Sequence, residues 1–362
     1  MTTAKRGLPD LGFAFDPFEH LDSARDVHLQ SYMVIPRAVE SALAEQPLAV
    51  FAQPGGGKSA LRIYASNFYR DSRGVRFPIT YVPDGYSADP GAHFSGIETS
   101  LARAVLIYLV SYPDLFSSYD TATRREIKRI LQILPFGLDF NLGLMQSARF
   151  ITDLEQTLGV SAFSGLKEMG MSHRDLGREL QALKAGAAAR PSLDDQFDLL
   201  KTAFGAKSIH LLVDGLDGFM ETSSAPALLK WIEPLFEALQ NWEAKNIHLK
   251  VFLPMDIADA PSVARFGALR TATLAWDDHL LAEIIRKRVF AASSGVFDTL
   301  DAISAPDVRG SELTLARQLP GDRKLPRHII MKCKKIIDQI PGQGWITNEL
   351  LNAKEAAHDG IL

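Results

Sequence analysis

The sequence predicts an α/β fold, a parallel sheet flanked by helices. Three observations carry this. Residues 48–52, 209–213 and 248–253 are short, continuously apolar runs, as strands buried on both faces require. Longer stretches with helical spacing separate these runs, and strands alternating with helices need crossovers that cover both faces of a sheet. The first run passes through Gln53 and Pro54 into Gly55, Gly56 and Gly57, and a helical pattern opens at once with Lys58 and Ser59.

Taken in order, residues 31–36 precede a short helix expected over 37–44, and strand 48–52 leads through the glycines into a helix over 58–69. Residues 77–82 read as a second strand, with Pro78 suited to its first turn or to a sheet edge. From about 95 to 204 the chain is rich in Leu, Ala, Arg and Glu with breaks near Pro113, Pro135, Gly159 and Pro191, which predicts several helices and no strand. Strands follow at 209–213 and 248–253, with a fifth expected at 271–276. The remainder is helical. Asp277 and Asp278 suit a helix start, and Pro326 sits where a final helix over 327–340 would begin. The expected organisation is an N-terminal segment 1–45, a core 46–275 carrying a helical insertion at about 95–204, and a helical lid 276–362.

Composition sets outer limits. Of the 362 residues 46% are hydrophobic and 23% charged, which describes an ordinary globular chain with a sizeable core. The formal charge is −4, so the overall balance does not favour nucleic acid as the main partner. The basic clusters 124–129 and 332–335 lie on helical spacing beside apolar residues and read as solvated faces. Cys333 is the only cysteine, which rules out an intramolecular disulfide, and its apolar neighbours predict a buried thiol. Residues 1–12 lack an apolar leader core, and the strongest apolar run, 104–110, is too short to span a bilayer. A cytoplasmic protein with no membrane association is the expectation.

The glycine-rich turn carries the chemistry. Glycines reach positive φ and let the backbone approach a ligand closely, successive N–H groups form an anion nest, and a helix N-terminus adds its positive dipole end. The stretch Pro54, Gly55, Gly56, Gly57, Lys58, Ser59 and Ala60 therefore reads as a phosphate-binding loop for a nucleoside triphosphate. Lys58 would reach the β- and γ-phosphates, and the Ser59 hydroxyl would ligate Mg²⁺. Asp214, emerging at the end of the 209–213 strand, is placed to be the acidic partner of that ion, holding it through water. No Asn-Lys pair of the kind that reads guanine occurs, so ATP is the expected nucleotide.

With these residues the chain resembles the P-loop ATPases of the AAA+ and STAND (NACHT- and ORC-like) group, whose sheet is of the ASCE type. The run Asp214-Gly215-Leu216-Asp217 is similar to the second acidic motif of STAND proteins. The resemblance implies an adenine-side segment, where Val34, Ile35 and Pro36 would pack on the base or, equally, in an ordinary core. It implies a γ-phosphate sensor at Asp256, which would otherwise cap the following helix. It implies a lid contact from Arg327, otherwise an exposed arginine, and a trans-acting arginine finger at Arg265 or Arg270, otherwise surface residues.

Two departures separate the chain from that group. Gly215 and Gly218 stand where AAA+ motors and STAND proteins carry a catalytic Glu, so Asp217 becomes the first candidate for the base that aligns water, and Glu221 the second. The helical block also makes the distance between the motifs long. The expected function is an ATP-binding, slowly hydrolysing regulatory ATPase that couples nucleotide state to a partner, with homo-oligomers forming on ATP and an effector encoded next to it, as in bacterial defence or signalling assemblies. The alternatives are a DNA-associated ATPase similar to origin-recognition or transposition regulators, and a non-hydrolysing nucleotide-binding scaffold.

Overall fold

The computed structural model describes residues 8–135, 172–183, 190–260, 269–340 and 344–352. In chain order its main elements begin with α1 (Leu29–Tyr32), α2 (Arg37–Glu40), β1 (Leu48–Ala52), α3 (Lys58–Arg70) and β2 (Arg76–Tyr81). The helical block holds α4 (Gly91–Ser111), α5 (Pro113–Ser118), α6 (Thr121–Leu131), α7 (Ser172–Ala182) and α8 (Leu193–Thr202). Next come β3 (Ser208–Val213), α9 (Ala225–Glu237), α10 (Leu239–Ala244), β4 (Ile247–Pro254) and β5 (Arg270–Thr273). The chain closes with α11 (Asp278–Ala292), α12 (Ser311–Arg317), α13 (Pro326–Gln339) and α14 (Asn348–Asn352). These residues form two compact units, one of 37–53 and 58–274, the other of 1–36, 54–57 and 275–362.

The larger unit is the α/β core. Its five strands are all parallel, in the order β2-β3-β4-β1-β5. Every residue of β1 and β3 is buried, which is why both read as unbroken apolar runs. The edge strand β2 alternates instead, and Pro78 lies in it, where a missing N–H costs no ladder bond on the open side. The register sets Val213 of β3 against Tyr81 and Val251, and Ala52 of β1 against Pro254, so residues following these strands share the carboxyl edge of the sheet. Helix α4 buries Ile97, Leu101, Val105 and Leu109 in the same apolar cluster as Phe77 and Ile79 of β2. Within the helical block no strand occurs among the described residues. Ser192 and Asp195 open α8 with a capping box.

Several boundaries differ from the expectation. The fifth strand runs Arg270–Thr273 rather than over 271–276, and every residue of it is at least partly exposed. The helix expected over 37–44 ends as α2 at Glu40 and tightens into a 3₁₀ turn at Ser41–Leu43. The long helix of the block starts at Gly91, before the expected onset.

The second unit packs α11, α12 and α13 around Leu281, Ile285, Val289, Leu315, Ile329 and Ile337, joined by Phe13, Phe18 and Val34. Cys333 lies in this core and burial pushes its thiol pKa up, as an inert thiol requires. Asp26 is buried beside Arg288, whose guanidinium donates to it at 3.2 Å and to the Pro17 carbonyl at 2.8 Å, while the Tyr32 hydroxyl also donates to Asp26. Among the described residues, no helix is long and apolar enough to cross a membrane.

Towards the amino ends of β3 and β4 the core unit holds buried titratable groups. Lys250 is fully buried, and its ammonium donates to the carbonyls of Ala44, at 2.5 Å, and Gln46. Burial pulls its pKa down to about 7. His210 stacks on Tyr69 with ring centroids 3.7 Å apart, and burial, reinforced by the Lys250 charge, holds its pKa at about 2. Below pH 6.5, the ordinary value, the unfolded chain therefore takes up a proton that folded His210 refuses. Stability falls as pH drops through that window, by on the order of 2 kcal/mol at about pH 5. In urea denaturation, His210→Phe keeps the aromatic stack without the titrating ring and should lose correspondingly less stability than wild type between these two pH values. Parallel losses in the two proteins would show that His210 does not control the acid response.

Candidate functional site

The turn from β1 into α3 has the backbone its glycines were expected to supply. Gly55 and Gly57 have φ of +80° and +94°, conformations that a side chain would strain. Within their unit these glycines are covered closely. A Cβ on Gly55 would lie 3.0 Å from Cβ of Arg327, the Arg327 N–H donates to the Gly55 carbonyl at 3.3 Å, and Trp276 Nε1 donates to the Gly56 carbonyl at 2.9 Å. Arg327 is thus packed on the turn while remaining exposed, at the start of α13.

In the core unit, the first two turns of α3 meet the loop that follows β3. Lys58 Nζ lies 2.6 Å from Asp217 Oδ2, and Arg62 Nε donates to Asp214 Oδ2 at 3.1 Å. The side chains of Arg62 and Asp214 are 12% and 5% exposed, whereas Asp217 is 27% exposed, so the second carboxylate keeps contact with water and the first hardly any. The other Asp214 oxygen accepts from the Gly215 N–H at 2.9 Å. The loop is braced by Gly218 N–H donating to the Gly215 carbonyl and by buried Thr222 donating to the carbonyl of Leu216.

The expected sites divide by position. Lys58, Ser59, Asp214 and Asp217 all belong to α3 or the β3 loop, and two ion pairs join these elements. Asp256 is exposed in a 3₁₀ turn, Met255–Ile257, just after β4, and therefore also at the carboxyl edge. Glu221 is exposed in the turn Met220–Thr222. Arg270 is exposed at the amino end of β5, opposite Leu48, while Arg265 lies outside the described residues. Val34 is buried in the apolar core of the second unit, with Pro36 also buried and Ile35 half-buried.

Arg62 escaped the reading of motifs. Its spacing from Lys58, one helical turn, puts both cations on one face of α3, and that was the available signal. Arg62 also decides how the loop suits Mg²⁺. Ser59 is exposed in the first turn of α3, but each oxygen of Asp214 already accepts a hydrogen bond, one of them from a guanidinium. Among the described residues no group of three His, Cys, Asp or Glu side chains is placed to hold a metal ion. The Asp214 environment fits a guanidinium, and a divalent ion ligated directly by Oδ2 would compete with that contact.

Several members of the basic clusters have partners within the chain. On α6, Arg129 pairs with Glu126 at 2.7 Å, Arg124 donates to the Tyr119 carbonyl at 2.8 Å and Lys128 to that of Leu183. On α13, Lys334 pairs with Asp16 at 2.7 Å and with Asp338.

The geometry also gives a reason for glycine at position 215. Gly215 has φ of +75°, and a Cβ there would come 2.9 Å from Val82 Cγ1. Gly218 has an ordinary φ, and its nearest neighbour would be the Gly215 carbonyl oxygen at 3.4 Å. Gly215→Ala should therefore cost on the order of 1–2 kcal/mol from the backbone alone, with the Val82 clash added. Gly218→Ala should stay within about 0.5 kcal/mol of wild type. Urea midpoints of the two variants measure the difference, and equal midpoints would refute this account of the loop.

No family model, curated protein or solved structure matches the chain, so the reading of this site rests on its own residues.

Proposed function

We propose that the chain is a P-loop ATPase of regulatory type, which binds ATP at residues 54–60 and hydrolyses it slowly. The observation that carries this reading is the contact between Lys58 and Asp217, side chains separated by 159 positions, which brings the glycine-rich turn's lysine onto the acidic loop of β3. The sheet order supports it: β4 lies between β1 and β3, the ASCE arrangement expected for such ATPases.

In the proposed reaction the triphosphate accepts hydrogen bonds from backbone N–H groups of the turn, and Lys58 exchanges the Asp217 carboxylate for phosphate oxygens. Asp217, half-hydrated already, then orients a water molecule. The water oxygen bonds to the γ-phosphorus, the bond to the bridging oxygen of ADP breaks, and the water's proton passes to the carboxylate. Each step uses groups already adjacent, yet no second carboxylate backs Asp217 at Gly215 or Gly218, which suits a slow turnover and a switching role. Coupling to a partner protein, a bacterial defence or signalling role and a cytoplasmic location belong to the same proposal. The pairing of Arg129 and Lys334 with carboxylates of the chain supports it over the DNA-associated alternative.

Lys58→Ala should weaken binding of a fluorescent ATP analogue about ten- to hundredfold, because one charge-assisted contact to phosphate is lost. Asp217→Asn should do the opposite to affinity. It releases Lys58 from its carboxylate, so nucleotide should bind several times more tightly, roughly threefold or more, while phosphate release slows. Unchanged affinity in Lys58→Ala would remove the nucleotide site, and wild-type hydrolysis by Asp217→Asn would remove the base.

The exposed position of Arg270 at the amino end of β5 leaves it available to a second subunit as an arginine finger. Mixing Lys58→Ala with Arg270→Ala should then restore ATPase activity that neither has alone. A mixture as inactive as its components would exclude a trans role for Arg270.

A further inference from the structure

The two carboxylates of the β3 loop differ in what they can tolerate. Asp217 is partly hydrated and can lose Lys58 to a phosphate group without being stranded. Asp214 is almost fully buried, and a buried carboxylate without a cation is strongly destabilising. Arg62 is the cation at hand, and among the described residues Asp214 is its hydrogen-bonded acceptor. A divalent ion drawing directly on the Asp214 oxygen that Arg62 holds would compete with this guanidinium, itself only 12% exposed. The charge that Mg²⁺ would bring to Asp214 is thus already present in the protein, fixed one helical turn beyond Lys58.

We propose that Arg62 is the resident counter-cation of Asp214 and takes the place of a divalent ion there, so that this chain binds nucleoside triphosphate with little dependence on Mg²⁺. This rests on the reading of residues 54–60 as the nucleotide site. With Arg62 in place, Asp214 presents no net charge to the incoming phosphates. Without it, a buried anion would repel them, and only added metal would offset the repulsion. An arginine suits the task because it stays charged when desolvated and its planar donors hold a carboxylate in fixed geometry.

The test is titration of the full chain with a fluorescent ATP analogue, in excess Mg²⁺ and in EDTA. Wild type should bind in both, with affinities within about threefold of each other. Arg62→Leu should lose about tenfold or more in EDTA and recover with Mg²⁺, and Arg62→Lys, which keeps the charge, should behave like wild type. Adding Asp214→Asn to Arg62→Leu should abolish the metal requirement again, since the unpaired charge is gone. If Arg62→Leu does not fold, wild type and Arg62→Lys decide the matter. Wild-type binding that is about tenfold or more weaker in EDTA overturns the proposal and leaves the nucleotide site standing. Binding in neither condition overturns the nucleotide site itself, and this proposal with it.

Discussion

Two ion pairs between α3 and the loop after β3 set the arrangement on which the carboxyl edge of the sheet depends. Lys58 and Arg62 are one helical turn apart and each holds one carboxylate, Asp217 and Asp214. The pairs fix the helix against the loop, and they make the burial of Asp214 tolerable. Their unequal exposure gives them unequal roles. The outer pair can open to a competing anion, whereas the inner one can open only at the cost of two desolvated charges.

The opposite end of the sheet is built on a different polar constraint. There the chain enters β1 through a turn whose carbonyls at Ala44 and Gln46 are satisfied by Lys250 from inside the sheet. The buried ammonium donates to both carbonyls, that of Ala44 also accepting from the Gln46 N–H, while desolvation disfavours its charge. His210 and His248, whose buried Nδ1 atoms have no hydrogen-bond partner among the described residues, sit close by with ring centroids 5.4 Å apart. Acid sensitivity is therefore expected at the amino end of the sheet, and the proposed nucleotide exchange at its carboxyl end.

Much of the fold was legible for simple reasons. Strands β1, β3 and β4 are buried on both faces and so announce themselves as apolar runs, and Pro78 correctly marked an edge. Strand β5 was misplaced because its Arg-Thr-Ala-Thr sequence is exposed and carries no apolar signal, while Leu274 and Trp276 just beyond it do. The order of the strands is not written in any local pattern. At the site, Lys58 and Asp217 could each be singled out, but their contact spans 159 positions and no spacing rule predicts it. Arg62 was visible only as the residue one turn after Lys58, and its partner is 152 positions away. The need for glycine at 215 depends on Val82, on a different strand's exit, and could not be read from the acidic loop alone.

The burial of Lys250 has a chemical consequence. Desolvation makes the enclosed amine hold its proton less tightly than a surface lysine does. It is also fully enclosed, so an acylating reagent reaches it only when the amino end of the sheet opens. The rate at which Lys250 is modified would then count the openings of the core, making this side chain an internal clock for excursions that global unfolding does not register.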